Sequence, residues 1–120
     1  MKIGIIGAGA LGSLFAHSFH EHLIDFVIFE KNENIVKDIK ENGLTLKKGD
    51  LSKVIKPSIS SSPELLHDAE IIFLFVKSYS TTEALQDISK SLDRNSIIVS
   101  LQNGLGNIDE IKKIIEPERV

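Results

Sequence analysis

Short solid apolar runs alternate along this chain with longer stretches in which apolar residues recur every three or four positions. Residues 3–6 form the first run, and Leu11, Leu14, Phe15, Ser18 and Phe19 then trace one face at helical spacing to about His22. The pattern repeats at once. Residues 26–29 are a second β-rich run, and over residues 34–42 Ile35, Val36 and Ile39 recur at helical spacing before Gly43, placed as a C-cap. Residues 71–76, IIFLFV, are apolar without alternation, as expected of a parallel strand covered on both faces. A helix over residues 81–92 follows, with Ala84, Leu85, Ile88 and Leu92 inward. A strand over residues 97–101 and a helix over residues 107–115, ended by Pro117, complete the pattern. Strands and helices in this succession predict an α/β fold, a parallel sheet with right-handed crossovers and helices on both faces.

Residues 43–63 break the rhythm. Leu44 and Leu46 alternate with polar neighbours, Lys48-Gly49-Asp50 is turn-like, and Val54 and Ile55 follow, which predicts a small hairpin inserted at the sheet edge. Ser60-Ser61-Ser62-Pro63-Glu64 predicts a loop and a helix start, with Ser62 as N-cap and Pro63 at the first helical position.

Composition then narrows the class. At 120 residues with 42% hydrophobic content, the chain suits one domain with one core. The net charge is −3, and Lys and Arg are scattered, so the electrostatic footprint of a nucleic-acid binder is missing. The absence of cysteine excludes disulfides, thiolate metal sites and a thiol nucleophile. Only Met1 and Lys2 precede the first apolar run, and no stretch approaches the roughly 20 apolar residues of a membrane span. The expectation is a cytoplasmic protein without membrane or nucleic-acid partners.

Between the first strand and the first helix lies Gly7-Ala8-Gly9-Ala10-Leu11-Gly12, a G-x-G-x-x-G in the strand-to-helix context of a Rossmann-like dinucleotide site. The first glycine permits a tight turn, the second admits a pyrophosphate close to the backbone, and the third lets helix and strand pack closely. The helix's unpaired N–H groups and the positive end of its dipole complement the phosphates. Glu30 ends the second strand, 18 residues beyond Gly12, near the ~20-residue offset at which a carboxylate bonds the adenosine ribose. By itself Glu30 argues for NAD, since a carboxylate repels the 2′-phosphate of NADP. Lys31 could pair with that phosphate and Asn32 could hydrogen-bond it, although Lys31 also reads as a solvated cation opening a loop.

Ligands of open α/β sheets bind beyond the carboxyl ends of the strands, which directs attention to Lys77-Ser78-Tyr79-Ser80 and Gln102-Asn103-Gly104-Leu105-Gly106. Simple alternatives exist: Asn103-Gly104 fits a turn, and Lys77 fits a lysine snorkelling from a strand end. His17, His20 and His22 are expected to be polar positions near a helix C-terminus, where positive charge is favourable, and no metal site is predicted. Asp68, Glu70, Asp109 and Glu110 are expected to be caps or solvated positions.

GAGALG at the start, VKSYST after the third core strand and LQNGLGNIDEI after the fourth together resemble the N-terminal domain of the ketopantoate reductase family. The likeness runs essentially through all 120 residues, including a Gly-Leu-x-Leu hairpin start. The resemblance implies reduction of 2-dehydropantoate, or a similar small 2-keto acid, with NADPH in pantothenate biosynthesis. It implies that Gly7 to Gly12 cradle the pyrophosphate, that Lys77 faces the cofactor, and that Asn103 touches the nicotinamide ribose and the substrate. The family commonly has arginine where Lys31 stands, so the charge is kept and the bidentate fork is lost. NADPH is therefore expected to bind more tightly than NADH, with Glu30 limiting the preference. The family's helical C-terminal domain, with its general acid and a route to a homodimer, lies beyond residues 1–120, so these residues are expected to be a dinucleotide-binding domain with no catalytic residue of its own. A regulatory module that senses NAD(H), or a half of a related 6-phosphogluconate dehydrogenase-like enzyme, would share this fold.

Overall fold

The computed structural model describes residues 2–75, 86, 88–89, 91–92 and 96–100. Strand β1 (Lys2–Ile6) runs into helix α1 (Ala10–Glu21), β2 (Asp25–Phe29), helix α2 (Glu33–Asn42) and a hairpin of β3 (Leu44–Lys48) and β4 (Leu51–Ile55). There follow β5 (Ser58–Ser60), a 3-10 turn (Pro63–Leu66), β6 (Ile71–Leu74) and β7 (Ile97–Ser100). Five strands form one parallel sheet in the order β5-β2-β1-β6-β7. The chain moves outward from β1 through β2 to β5, then crosses back to β6. Between β1 and β6 the strand order reverses, the switch point beyond whose carboxyl ends open α/β sheets bind their ligands.

The pleat divides the core. Ile6, Phe29, Ile72 and Leu74 point to one face, where Leu66, Ile88 and the partly buried Leu92 cover them. Ile5 and Ile28 point to the other, against Ala16 of α1 and Val36 and Ile39 of α2. Both faces are therefore covered, as the unbroken apolar run at residues 71–76 predicts. Ile88 and Leu92 face inward as expected, whereas Ala84, Leu85 and the helix predicted at 107–115 with Asp109 and Glu110 lie outside the described residues.

Three local expectations are corrected. The hairpin does not extend the main sheet: β3 and β4 pair only with each other, antiparallel. The edge belongs instead to β5, which pairs with β2 through Val27, Ile28 and Phe29. Ser58-Ile59-Ser60 alternates with a buried Ile59, but three residues are too short for a period to stand out. Ser62 occupies the N-cap position before Pro63, yet its side chain makes no capping bond; the Ser60 hydroxyl accepts from the Ser62 N–H at 3.0 Å instead. On α1, Leu11, Leu14 and Ser18 are exposed, the two leucines by 42% and 43%. Among the described positions of α1, Gly12, Ala16 and His17 are buried; the small Gly12 and Ala16 let the helix settle closely on the sheet.

The His expectation is corrected at one position. His17 is buried, and its Nε2 lies 2.9 Å from the Leu44 carbonyl oxygen, tying α1 to the hairpin. His20 and His22 are exposed near the helix end as expected, with His22 Nδ1 2.8 Å from the Ser18 carbonyl oxygen. Asp68 pairs with Lys2 at 3.1 Å, and the hydrogen bond from that ammonium holds its carboxyl below the ordinary carboxylate range. Glu70 is exposed.

Helix α1 ends without glycine. The Leu23 N–H donates to the His20 carbonyl and the Ile24 N–H to the Phe19 carbonyl, the bond pattern of a Schellman motif. Leu23 occupies its left-handed position, with φ 59° and 93% exposure. Glycine would relieve the steric cost while removing almost no buried surface. Leu23→Gly is expected to stabilise the protein by about 1 kcal/mol, read as a rise of roughly 3–5 °C in Tm. An unchanged or lower midpoint would show that the leucine is held by contacts worth more than its strain.

Candidate functional site

The site begins where β1 stops. Gly7 takes φ 101°, a conformation that needs glycine, and its N–H donates to the Phe29 carbonyl at 2.9 Å. On the other flank the Phe75 N–H donates to the Ile6 carbonyl, also at 2.9 Å. The turn is thus braced by β2 on one side and by the residue after β6 on the other, directly over the switch point.

The two later glycines have different surroundings. A Cβ on Gly12 would run into the Gly7 carbonyl oxygen, so the helix can begin this close to the strand end only without one. A Cβ on Gly9 would meet nothing within 4 Å. Gly9 is the N-cap of α1 and offers no side-chain acceptor, and the first turn contains no acidic residue. The first-turn N–H groups of α1 have no intrahelical partner by geometry, and the helix dipole there is positive. An open backbone, a glycine cap and this dipole fit a pair of linked phosphates.

Glu30 stands one residue past β2, with its own N–H held by the Ser60 carbonyl at 3.0 Å. Its carboxylate reaches back to the glycine turn that follows the neighbouring strand β1. Oε1 accepts from the Ala8 N–H at 2.9 Å, and Oε2 accepts from the Asn32 N–H at 3.0 Å. Asn32 caps α2, its Oδ1 accepting from the Asn34 and Ile35 amides at 2.9 and 3.4 Å. That oxygen is therefore committed to the helix, while the side-chain NH2 group keeps the donor capacity expected of Asn32. Ser13, at the start of α1, donates its hydroxyl to the Ala8 carbonyl at 3.3 Å. Lys31 is exposed beside Glu30.

The structure thus brings together Gly7, Ala8, Gly9, Gly12 and Glu30, with Ala10, Leu11, Lys31 and Asn32 beside them. Lys77 and Asn103 lie outside the described residues. Ser60 and Ser13 were not anticipated. The β5 pairing that places Ser60 carries almost no sequence signal, whereas Ser13, one residue past the last glycine, was within reach of a capping argument. A cavity of about 460 Å³ opens beside Ala8, between Asn34 and Ile35 of α2 and Leu44 and Thr45 at the start of β3. A larger groove of about 560 Å³ lies between α1 and the hairpin, lined by Leu14, Ser18, Leu46 and Leu51. It includes none of the residues at the carboxyl ends of the parallel strands and none of the glycine turn. Among the described residues, no three His, Cys, Asp or Glu side chains are grouped to hold a metal ion, and no helix is long and apolar enough to cross a membrane.

The sequence profile described as Ketopantoate reductase PanE/ApbA matches residues 3–120. Among curated relatives, the 2-dehydropantoate 2-reductase of Streptococcus pyogenes serotype M1 is 31% identical over 120 residues, covering 100% of this chain and 39% of its own. Among solved structures, the PanE/ApbA family ketopantoate reductase of Ralstonia eutropha JMP134 is similar with a TM-score of 0.89 and 28% identity, over 97% of this chain and 39% of that one. D-mandelate dehydrogenase, in a ternary structure with NADH and anilino(oxo)acetate, also has a TM-score of 0.89, with 31% identity over 99% of this chain and 38% of its own. The chain spans between 35% and 39% of the length of the curated relatives it matches.

Proposed function

Because this chain belongs to the ketopantoate reductase family, we propose that it is the nicotinamide-dinucleotide-binding part of an oxidoreductase that turns a small 2-keto acid, such as 2-dehydropantoate, into the 2-hydroxy acid. The observation that carries this reading is the unobstructed start of α1 at the switch point, where Gly9 leaves open space and Gly12 brings the helix against the turn. The amides from Gly9 to Gly12 hold the linked phosphates, and Glu30 meets the adenosine ribose. Gly7 and Ala8 shape the turn beneath them. Lys77 faces the nicotinamide end, and Asn103 positions both the nicotinamide ribose and the keto acid. When bound, the dinucleotide supplies the hydride that reduces the keto carbon.

A ketone accepting hydride also needs a proton donor to its oxygen, a contribution of about 10²–10⁴-fold. We assign that acid to protein beyond residues 1–120, since the chain corresponds to between 35% and 39% of its curated relatives. A cytoplasmic location and a place in pantothenate biosynthesis accompany this reading. For the cofactor, Lys31 supports NADPH. Glu30 supports NADH, and the D-mandelate dehydrogenase relative holds NADH.

Amide chemical shifts test the binding reading. Titrating the protein with a nicotinamide dinucleotide is expected to move the backbone signals of residues 7–13 and of Glu30 first and furthest. Shifts centred on the groove between α1 and the hairpin, with residues 7–13 unmoved, would overturn it.

A further inference from the structure

We infer that the groove between α1 and the β3–β4 hairpin is a second binding site, taking a small neutral molecule with an apolar body and one hydroxyl, whose hydrogen bond His17 Nδ1 accepts. The inference is independent of the dinucleotide reading, because the groove shares no residue with the glycine turn. Its volume of about 560 Å³ lies within the ~300–1,000 Å³ range of small-molecule sites. Leu14 and Phe15 of α1 form one wall, and Leu46, Leu51 and Ile55 of the hairpin form the other. Leu14 is 43% and Leu51 72% exposed, so apolar surface on both sides is left for a ligand to cover.

His17 supplies the polar group. It lines the groove and is itself only 6% exposed. The Leu44 carbonyl oxygen, 2.9 Å from Nε2, can only accept, so the neutral ring carries its proton on Nε2. Leu44 is not part of the groove's lining, and the bond to it therefore occupies Nε2 outside the groove. Nδ1 is left as an acceptor, and among the described residues no donor meets it. A buried acceptor without a donor is costly, and a ligand that brings one recovers that cost. A molecule offering only acceptors gains nothing there, and an ammonium would lose its hydration against apolar walls. At the rim Lys53 and Glu21 stand 4.0 Å apart, each 67% exposed, a balanced pair that favours neither sign of charge. A hydroxyl supplies the donor with the least polar surface to place.

The probes are para-tert-butylphenol and its methyl ether, which keeps the apolar bulk and lacks the donor. Each is titrated into the purified protein while backbone amide and histidine ring-nitrogen signals are followed by NMR. The phenol is expected to move the amides of Leu14, Ser18, Leu46 and Leu51 and the Nδ1 signal of His17. It is expected to bind about tenfold more tightly than the ether, the difference one hydrogen bond to a buried acceptor makes. His17→Phe keeps a ring and removes the acceptor, and is expected to bring the two affinities together. That change also leaves the Leu44 carbonyl unpaired. Should the variant fail to fold by circular dichroism, Leu51→Asp charges an exposed part of the wall, and is expected to keep the fold and weaken the phenol at least about tenfold. Equal affinities for phenol and ether in the unaltered protein, an unmoved Nδ1 signal, or shifts centred away from the groove would overturn the inference. So would absence of phenol binding, a preference for the phenol that persists in a folded His17→Phe protein, or undiminished phenol affinity in a folded Leu51→Asp protein.

Discussion

Gly12→Ala is expected to destabilise the protein by about 2–4 kcal/mol, a sign opposite to what helix propensity alone dictates. Gly12 lies inside α1, and alanine is the better helix former by about 1 kcal/mol. If the helix were independent of its surroundings, the substitution would stabilise it. The tertiary contact reverses this, because the added Cβ meets the Gly7 carbonyl oxygen, which is backbone and braced on both flanks. A flexible side-chain tip could move aside. Here the helix must instead lift from the sheet, and Ala16, which is fully buried further along the same helix, would lose its packing. Urea unfolding of the two proteins measures the difference. A variant as stable as the parent would mean that α1 is free to shift, and the close approach of helix and strand would no longer explain the third glycine.

Gly9→Val is the complementary case. Open space surrounds the position, and its backbone, φ −75° and ψ −166°, is ordinary extended geometry that valine adopts readily. Stability is expected to change by less than about 1 kcal/mol, the loss reflecting valine's poor N-cap preference. Affinity for a nicotinamide dinucleotide is expected to fall about 100-fold, close to 2.7 kcal/mol. The added side chain fills the space through which the phosphates reach the amides. Parallel melts and fluorescence titrations separate the two effects. Undiminished affinity in a folded Gly9→Val protein would place the phosphates elsewhere. The pair of variants therefore distinguishes a glycine required by the fold from one required by the ligand, although both belong to one motif.

Much of the architecture was legible along the chain because its determinants are local or periodic. The apolar runs beginning at Ile3, Phe26, Ile71 and Ile97 became parallel strands, and Gly43, with φ 82°, closes α2 by donating its N–H to the Ile39 carbonyl. The Gly-rich turn and Glu30 stood out because their spacing follows from the geometry of one strand, one helix and the next strand. What escaped has a common cause. The face of α1 that is buried depends on Gly12 meeting a carbonyl from outside the helix, which no periodicity in Leu11, Leu14 and Ser18 encodes. His17 looked like a polar position on a helix, and a carbonyl 27 residues away makes it a buried tie.

The sequence by itself determined the succession from β1 through α1, β2 and α2 to the hairpin, the parallel sheet and the place of the glycine turn. Each of these follows from short-range periodicity and from the conformations that glycine alone tolerates. Only the tertiary structure decided that β5 rather than the hairpin forms the sheet edge, that two distant amides orient the Glu30 carboxylate, and that Gly9 is open while Gly12 is closed in. Those outcomes depend on which atoms meet after long stretches of chain have folded back, and distances of that kind are not written in neighbouring residues.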